Sequence, residues 1–350
     1  MQIALLQFVG EIRWKLSTTD PRSYKMYAFP GVELLHPLIF LDLIRSTLVG
    51  DLRSAVMGSL EGTWLTRTTG IALVIAEEDI EKYRLRDDSL LLLDVAATLL
   101  DALRYFSKQA EMRTGADHFA SCLWLTVDDL PRPSPTVRNE SSVAKWLVDT
   151  AITRSQIESA CACSAGFRPP VFDTLLLDAI SAHAAHDYRR SILYSAMSLE
   201  TAVAMLLDER YETEVRQSNS AAWRTIALPQ AGGRTVRKDP IWEMLRGRED
   251  SNSLLHEGAL YILKRSLLVE CQALFGLAQR LRATRNKIVH QGEPPELATD
   301  QYLSIDRDGS AKALGCTKAI LNWLGITERY TLREPGFVRL DRSDSTTESG

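Results

Sequence analysis

The chain has 350 residues, of which 45% are apolar, so it is long enough for one large or two ordinary domains with their own cores. Its net charge of −4 excludes a generally basic protein that coats nucleic acid, and any RNA contact must come from local patches. The five cysteines are an odd number, and the pair Cys161 and Cys163 has no second pair at zinc spacing. We expect reduced thiols, no metal and no other cofactor.

The N-terminal segment MQIALLQFVGEIRW has no basic region and is interrupted by Glu11 and Arg13, so it is a poor signal peptide. No stretch approaches the ~20 apolar residues that a membrane span needs. The sequence therefore predicts a soluble cytoplasmic protein without a membrane partner.

Residues 1–130 mix strand and helix patterns and predict an α+β domain. A strand or hairpin arm is expected at 3–15, one or two strands at 63–78, and another strand at 120–127. The segment 89–109 begins with a serine and carries apolar residues at helical spacing, which predicts a helix.

Residues 131–169 are predicted to form a linker with a short helix. The stretch 128–142 contains three prolines and several polar residues, which is typical of a linker. A short helix is expected at 143–161, and the sequence GFRPP then marks a second break that ends at Pro170.

From residue 170 to residue 325 the pattern is helical and predicts an all-α bundle. Helices are expected at 171–185, 187–211, 240–246, 267–289 and 310–324. The segment 213–238 looks like a loop, and residues 331–350 read as a disordered polar tail.

The residues best suited to chemistry lie at the end of the 267–289 helix, where Arg285, Asn286 and His290 spell R-N-x-x-x-H. At helical spacing Asn286 and His290 share one face, Arg282 extends that face by one turn, and Arg285 lies on its flank. An imidazole can take the proton of an RNA 2′-hydroxyl or protonate the leaving oxygen. A guanidinium can stabilise the charge that develops on the phosphorus oxygens, and the amide can orient the ring or hold a phosphate oxygen.

The spacing R-x(4–6)-H alone is weak, because about one or two matches are expected by chance in a chain of this composition. A second match, Arg113-Thr-Gly-Ala-Asp-His118, is discounted because its glycine and aspartate indicate a loop and no Asn follows the Arg. The match at Arg285 lies on a predicted helix, includes the adjacent Asn286 and is followed by Gly292 as a helix stop.

This combination resembles the HEPN family, whose motif is an Arg, a polar residue and a His four to six residues after the Arg. The 187–211 helix looks like the early long helix of that family, and Glu200 falls where many members carry an acidic residue that faces the motif. The segment SAKALGCTKAILNWL looks like the closing helix. The resemblance covers roughly residues 170–325 and implies a bundle of four or five helices.

The resemblance also implies a homodimer in which two motifs face one composite cleft. Family members are metal-independent endoribonucleases that leave a 2′,3′-cyclic phosphate, often with toxin or antiphage roles. The catalytic residues that it implies are Arg285, Asn286, His290 and Glu200, with His290 as acid and base and Arg285 stabilising the phosphorane. Some HEPN toxins carry a Tyr two residues after the His that a partner nucleotidyltransferase modifies. Gly292 occupies that position here, so such a partner is not expected.

Basic residues between positions 215 and 238 favour an RNA-contacting loop, because the segment holds five of them, no acidic residue and one tryptophan for base stacking. The alternative is a mobile insertion between helices. The candidate RNA-binding residues are Trp223, Arg234, Arg237, Lys238, Arg282 and Lys287.

The sequence thus predicts an RNA-cleaving HEPN-type nuclease whose N-terminal domain senses a phage or cellular trigger, restrains the nuclease or binds a partner. Two alternatives stay open. The helical domain can be a non-catalytic HEPN module that binds RNA or a protein, or a purely structural bundle in which RNKIVH is a chance match. On the structural reading, the basic residues lie near a helix C-terminus because the helix dipole favours cations there, and Glu200 is a solvated or capping residue.

Overall fold

The computed structural model describes residues 1–47, 55–60, 63–84, 89–110, 112, 119–130, 132–133, 151–216, 224–227, 235–247, 251–291 and 301–326. The chain divides into two compact units between Pro169 and Pro170. The first unit contains an antiparallel sheet with helices, and the second is helical apart from a two-stranded hairpin. The predicted order, an α+β region followed by a helical region, is confirmed at this level.

The first unit is built on one sheet in which the strand order is β2-β3-β5-β1-β6, while β4 also pairs with β5 and β7 pairs in parallel with β1. Its strands are β1 (Gln2–Ser17), β2 (Ser23–Lys25), β3 (Val32–Leu35), β4 (Ala55–Leu60), β5 (Thr63–Ile75), β6 (Phe119–Thr126) and β7 (Ile152–Thr153). Its helices are α1 (Pro37–Thr47), α2 (Ile80–Arg84), α3 (Ser89–Ser107) and α4 (Arg154–Cys161).

Strand β1 is apolar on both sides because helices cover both faces of the sheet. Successive side chains of a strand point to opposite faces, so Leu6 and Trp14 belong to the core shared with α3, whereas Ile3 and Leu5 belong to the core shared with α1. A strand covered on both faces shows a continuous apolar run instead of alternation. The run IALL therefore marks the central strand of the unit.

The pairing of β1 with β5 shifts register between Gln7 and Ile12. Just beyond this irregularity, the side chain of Gln109, which is not part of the sheet, forms hydrogen bonds with the backbone of Arg13. The Gln109 amide donates to the Arg13 carbonyl oxygen at 2.8 Å and accepts from the Arg13 backbone N–H at 3.2 Å. Both residues are buried, so these bonds satisfy backbone groups that water cannot reach.

Residues 151–169 belong to the first unit and are not an extended linker. Strand β7 pairs with Trp14 and Lys15 of β1, and α4 packs on α3 with Ile157 fully buried. Helix α4 begins at Arg154, later than the predicted 143–161, because Thr153 and Gln156 form a capping box in which the Thr153 N–H donates to the side-chain Oε1 of Gln156 at 2.8 Å. Residues 134–150 lie outside the described part of the chain, as does the predicted tail 331–350.

The second unit begins with two long helices, α5 (Val171–Ala184) and α6 (Tyr188–Arg210), and α6 continues as a π-helical turn at Tyr211–Val215. A hairpin of β8 (Arg224–Ala227) and β9 (Thr235–Lys238) follows. The remaining helices are α7 (Pro240–Gly247), α8 (Ser251–Ser253), a π-helical turn at Leu254–Gly258, α9 (Ala259–Leu263), α10 (Leu267–Glu270), α11 (Gln272–Gln291) and α12 (Arg307–Trp323).

Helix α6 is the central element of the second unit and packs against α5, α11 and α12. Among the described residues, the segment Tyr188–Val215 is the one helix whose length and composition would let it cross a membrane, and half of its apolar window is buried inside the unit. Its apolar content is accounted for by this central position in a globular bundle.

Two predictions for the second unit are corrected by local geometry. The predicted helix 267–289 is two helices, because Cys271 adopts φ −149° and ψ 76°, outside the helical region, between α10 and α11. The segment 213–238, predicted as a loop, contains the antiparallel β8–β9 hairpin in which Thr225 pairs with Arg237.

Gly70 on β5 tests how closely the sheet and α1 are packed. A Cβ at this position would lie 2.4 Å from the Leu6 carbonyl oxygen and 2.8 Å from a ring carbon of Phe40. We expect Gly70→Ala to lower the free energy of unfolding by about 1–3 kcal/mol, because the backbone must move to admit the methyl group. Urea unfolding of the full chain measures the change.

The matched control is Gly315→Ala on α12, where a Cβ meets nothing within 4 Å. Alanine raises helix propensity there, so the control should be neutral or stabilising by about 0.5–1 kcal/mol. Equal stability of the wild type and Gly70→Ala would contradict the close approach described here.

Candidate active site

The rotation of α11 about its axis is fixed by one buried face. Phe275, Ala278, Leu281 and Ile288 are buried at helical spacing and belong to the same core as the buried residues of α6 and α12. Residues on the flank of this face lie at the edge of the helix contacts, and residues on the opposite side face solvent. The positions of the motif residues follow from this orientation.

Arg285 lies at the flank of the buried face and points to α6. Its Nη2 lies 3.7 Å from a carboxylate oxygen of Glu200, and its Nη1 donates to Asn286 Oδ1 at 2.8 Å. The structure therefore brings three of the four predicted catalytic residues into one cluster, Glu200, Arg285 and Asn286. Glu200 touches the arginine of the motif, so it is suited to position that side chain.

The Arg285 side chain is 30% exposed and that of Glu200 is 28% exposed, so the ion pair is only partly shielded from water. A pair of this kind contributes about 0–1 kcal/mol to stability. The buried Nε of Arg285 has no hydrogen-bond partner in the structure. This Nε–H is closed to solvent, so it is not a donor that an RNA phosphate can reach.

His290 lies in the last turn of α11 and is exposed. It follows Arg285 by five residues, which corresponds to about 140° around the helix axis and about 7.5 Å along it. Within one chain the structure does not bring the imidazole to the Glu200–Arg285 pair. Asn286 lies one helical turn before His290 on the same face, between Arg285 and His290 around the helix.

Lys287 contacts a residue that the sequence analysis did not single out. Its Nζ lies 4.8 Å from the ring centre of Tyr302, a cation–π contact. No spacing rule predicts the contact between Lys287 and Tyr302, because the two residues lie 15 positions apart in sequence and meet only through tertiary packing.

The buried Thr284 hydroxyl donates to the Arg280 carbonyl oxygen and accepts from the Leu303 backbone N–H, each at 2.8 Å. This bond holds the chain after α11 against the helix.

The other predicted RNA-binding residues are placed only in part. Arg237 and Lys238 lie on β9, opposite Thr225 and Arg224 of β8, so they belong to a hairpin and not to an irregular loop. Trp223 and Arg234 lie outside the described residues, as does the discounted match 113–118. Arg282 is half-buried on α11.

The base of the hairpin is anchored to the bundle by Asp239, which is buried. Its carboxylate accepts from the Tyr261 hydroxyl at 2.6 Å and from the Ile241 backbone N–H at 3.0 Å, at the start of α7. Burial, together with the nearby Asp239 charge, raises the pKa of Tyr211 to about 12. Asp239 therefore fixes the position at which the β8–β9 hairpin joins α7.

Two of the five cysteines, Cys161 and Cys316, are buried. All five are free thiols, and burial raises the pKa of Cys161 and Cys316 to about 12, so these two stay protonated at neutral pH. In the ranges that the structure describes, no three His, Cys, Asp or Glu side chains lie close enough together to hold a metal ion.

A scan of protein-family models found no match to this chain, and neither the curated proteins nor the solved structures contain a significant match to it.

Thr284 provides a direct test of how the segment after α11 is held. Thr284→Val keeps the shape of the side chain but removes the acceptor of the Leu303 N–H, so we expect a loss of about 1–3 kcal/mol in the free energy of unfolding. Amide hydrogen exchange at Leu303 should also become faster.

Thr284→Ser is the control, because it keeps the hydroxyl and loses a single methyl group, which costs about 1 kcal/mol or less. Unchanged exchange at Leu303 in Thr284→Val would show that this bond does not hold the segment.

Proposed function

We propose that the helical unit is a metal-independent endoribonuclease of the HEPN type, with His290 as acid and base and Arg285 stabilising the phosphorane. The proposal is carried by one observation. Glu200 and Asn286 hold Arg285 in place on the same helix whose last turn presents His290 to solvent. A guanidinium and an accessible imidazole are the two kinds of group that metal-independent cleavage of an RNA phosphodiester can use.

In the proposed reaction the RNA supplies its own nucleophile. A neutral His290 imidazole takes the proton of the 2′-hydroxyl, the 2′-oxygen bonds to phosphorus, and the bond from phosphorus to the 5′-oxygen breaks. A protonated imidazole gives its proton to the leaving 5′-oxygen. The products are a 2′,3′-cyclic phosphate and a 5′-hydroxyl end. Arg285 stabilises the additional negative charge on the phosphorane through its partly exposed guanidinium side chain.

In the proposed dimer, two copies of the chain face each other, so that one cleft contains two His290 imidazoles and an Arg285 guanidinium close to them. Within one copy, His290 and Arg285 lie about 140° apart around α11. The exposed Val289, beside His290, gives this part of the helix an apolar surface that a second copy can cover. The proposed enzyme is therefore a homodimer whose two motifs share one cleft.

We propose that the first unit restrains the nuclease, senses a phage or cellular trigger or binds a partner. An RNase with broad activity endangers its own cell, so toxin or antiviral defence is the role that we propose, in the cytoplasm.

A second candidate function is a non-catalytic HEPN module that binds RNA or a protein partner. It is favoured by the Glu200–Arg285 contact, because a guanidinium already paired with a carboxylate has less charge available for a phosphate. Binding without cleavage would then be the activity of the helical unit.

RNA cleavage by the full chain with EDTA present tests the proposal. We expect His290→Asn to lower the cleavage rate by about 10²–10⁴-fold, because proton transfer is lost. Arg285→Gln should lower it by about 10²–10³-fold, because charge on the phosphorane is no longer stabilised. The rate is measured under single-turnover conditions, and cyclic phosphate ends identify the reaction.

The matched controls are His186→Asn and Arg190→Gln. His186 is an exposed histidine with φ 63°, a conformation that asparagine tolerates, and Arg190 pairs on the surface with Asp187. Both controls should cleave like the wild type. Equal cleavage by all variants would reveal a contaminating nuclease and remove the proposal, and RNA binding without cleavage by the wild type would favour the non-catalytic module.

The role of Glu200 is tested by a double-mutant cycle. Glu200→Gln removes the charge that holds Arg285, and for a partly exposed pair we expect the cleavage rate to fall by about two- to fivefold. In the Arg285→Gln background the same change should have no further effect, because the two residues act through one contact. Equal losses in both backgrounds would show that Glu200 acts independently of Arg285.

A further inference from the structure

The side of α11 away from the core borders an open groove with a volume of about 590 Å³. One wall and the floor are formed by α11, and the other wall by the chain that leads to α12. Besides two alanines, the groove is lined by Gln272, Gly276, Gln279, Arg280, Gln301 and Tyr302. None of these residues belongs to the Glu200–Arg285–Asn286 cluster.

The groove runs in line with His290. Gln272, Gln279, Ala283 and His290 recur at intervals of seven, four and seven residues, which places them on one side of an α-helix. From Gln272 to His290 this side of the helix extends for about 27 Å. A linear ligand that binds along the groove therefore extends towards the His290 imidazole.

The charge of the groove suits a polyanion. The whole chain carries −4, whereas α11 contains four Arg and Lys residues and no acidic residue. No carboxylate in the described part of the chain forms an ion pair with Arg280. Its charge instead reaches the buried Cys316 thiol of α12, where it partly offsets the effect of burial on the pKa. The cation thus lies between the two helices and is available to a phosphate.

The remaining lining suits nucleobases. Three glutamine amides offer donors and acceptors along the groove, and the ring of Tyr302 offers a surface on which a base can stack. Lys287 lies over that ring, so a further cation accompanies the aromatic group. The floor is open at Gly276, where a Cβ would meet nothing within 4 Å.

We propose that this groove binds single-stranded RNA and leads it to His290. The proposal rests on the proposed function, since it names the path of the substrate to that site. Tyr302 stacks a base, Arg280 contacts a phosphate, and the glutamine amides bond to base edges.

The experiment measures binding of a fluorescein-labelled 2′-O-methyl RNA dodecamer to the full chain by fluorescence anisotropy. This probe lacks the 2′-hydroxyl, so it is not cleaved and binding is observed alone. Gly276 is half-buried with nothing within 4 Å of a Cβ, so Gly276→Leu fills the groove and raises helix propensity while the fold is retained. We expect its Kd to rise at least about fivefold, the loss that follows when one base–aromatic contact is blocked.

The matched control is Gly315→Leu, the same change at an exposed glycine of α12 that does not line the groove and whose Cβ also meets nothing within 4 Å. Its Kd should equal that of the wild type. Tyr302→Ala should weaken binding by about five- to hundredfold, and Tyr302→Phe should retain it. Arg280→Gln should lower the slope of log affinity against log salt by about 0.7, the value for one phosphate contact to a single strand.

Each result decides the proposal. Wild-type affinity in Gly276→Leu overturns it, even when the wild type cleaves RNA. Dissociation of a dimer by Gly276→Leu, measured by sedimentation, also overturns it, because the surface would then join two copies of the chain. Binding by the wild type that is lost in Gly276→Leu supports the groove, and absence of cleavage in the same wild type would remove the proposed function alone.

Discussion

The packing of α11 against α6 is the contact on which the rest of the helical unit depends. Phe275, Ala278, Leu281 and Ile288 bury one face of α11 and so fix its rotation. Once that rotation is set, the direction of every other side chain on the helix is determined by the helical repeat. Arg285 then lies at the edge of the contact with α6, and His290 and the groove face away from it.

The polar contacts at this site contribute little to the free energy of unfolding, but they determine where the side chains lie. The Glu200–Arg285 pair is partly exposed, so it adds little to stability. Its effect is to restrict a long, flexible side chain to one position, and the Asn286 amide restricts it further. Thr284 acts similarly on the backbone, since its hydroxyl ties Leu303 to the helix and thereby builds one wall of the groove. The stability of the unit comes from buried apolar surface, and these polar contacts orient the exposed groups.

In the first unit, a central sheet is buried between helices on both of its faces. Helices α3 and α4 cover one side and α1 covers the other, so the central strands contain continuous apolar runs such as IALL in β1 and IALVI in β5. Such a sheet leaves no room for side chains where elements approach most closely, as at Gly70. The register shift in β1 is accommodated by the side chain of Gln109, which lies 96 residues away in sequence from the Arg13 backbone that it contacts.

The sequence by itself determined the elements whose signals are local. Helical periodicity gave α3, α5, α6 and α12 close to their observed bounds, and apolar runs gave β1, β5 and β6. The sequence also singled out Glu200 and Arg285, and the structure shows these two side chains in contact at 3.7 Å. Only tertiary structure decided the rest. The assignment of 151–161 to the sheet unit depends on pairing with a strand more than a hundred residues earlier. The break at Cys271, the β8–β9 hairpin and the contact of Lys287 with Tyr302 depend on backbone geometry and long-range packing, which no local pattern of residues records.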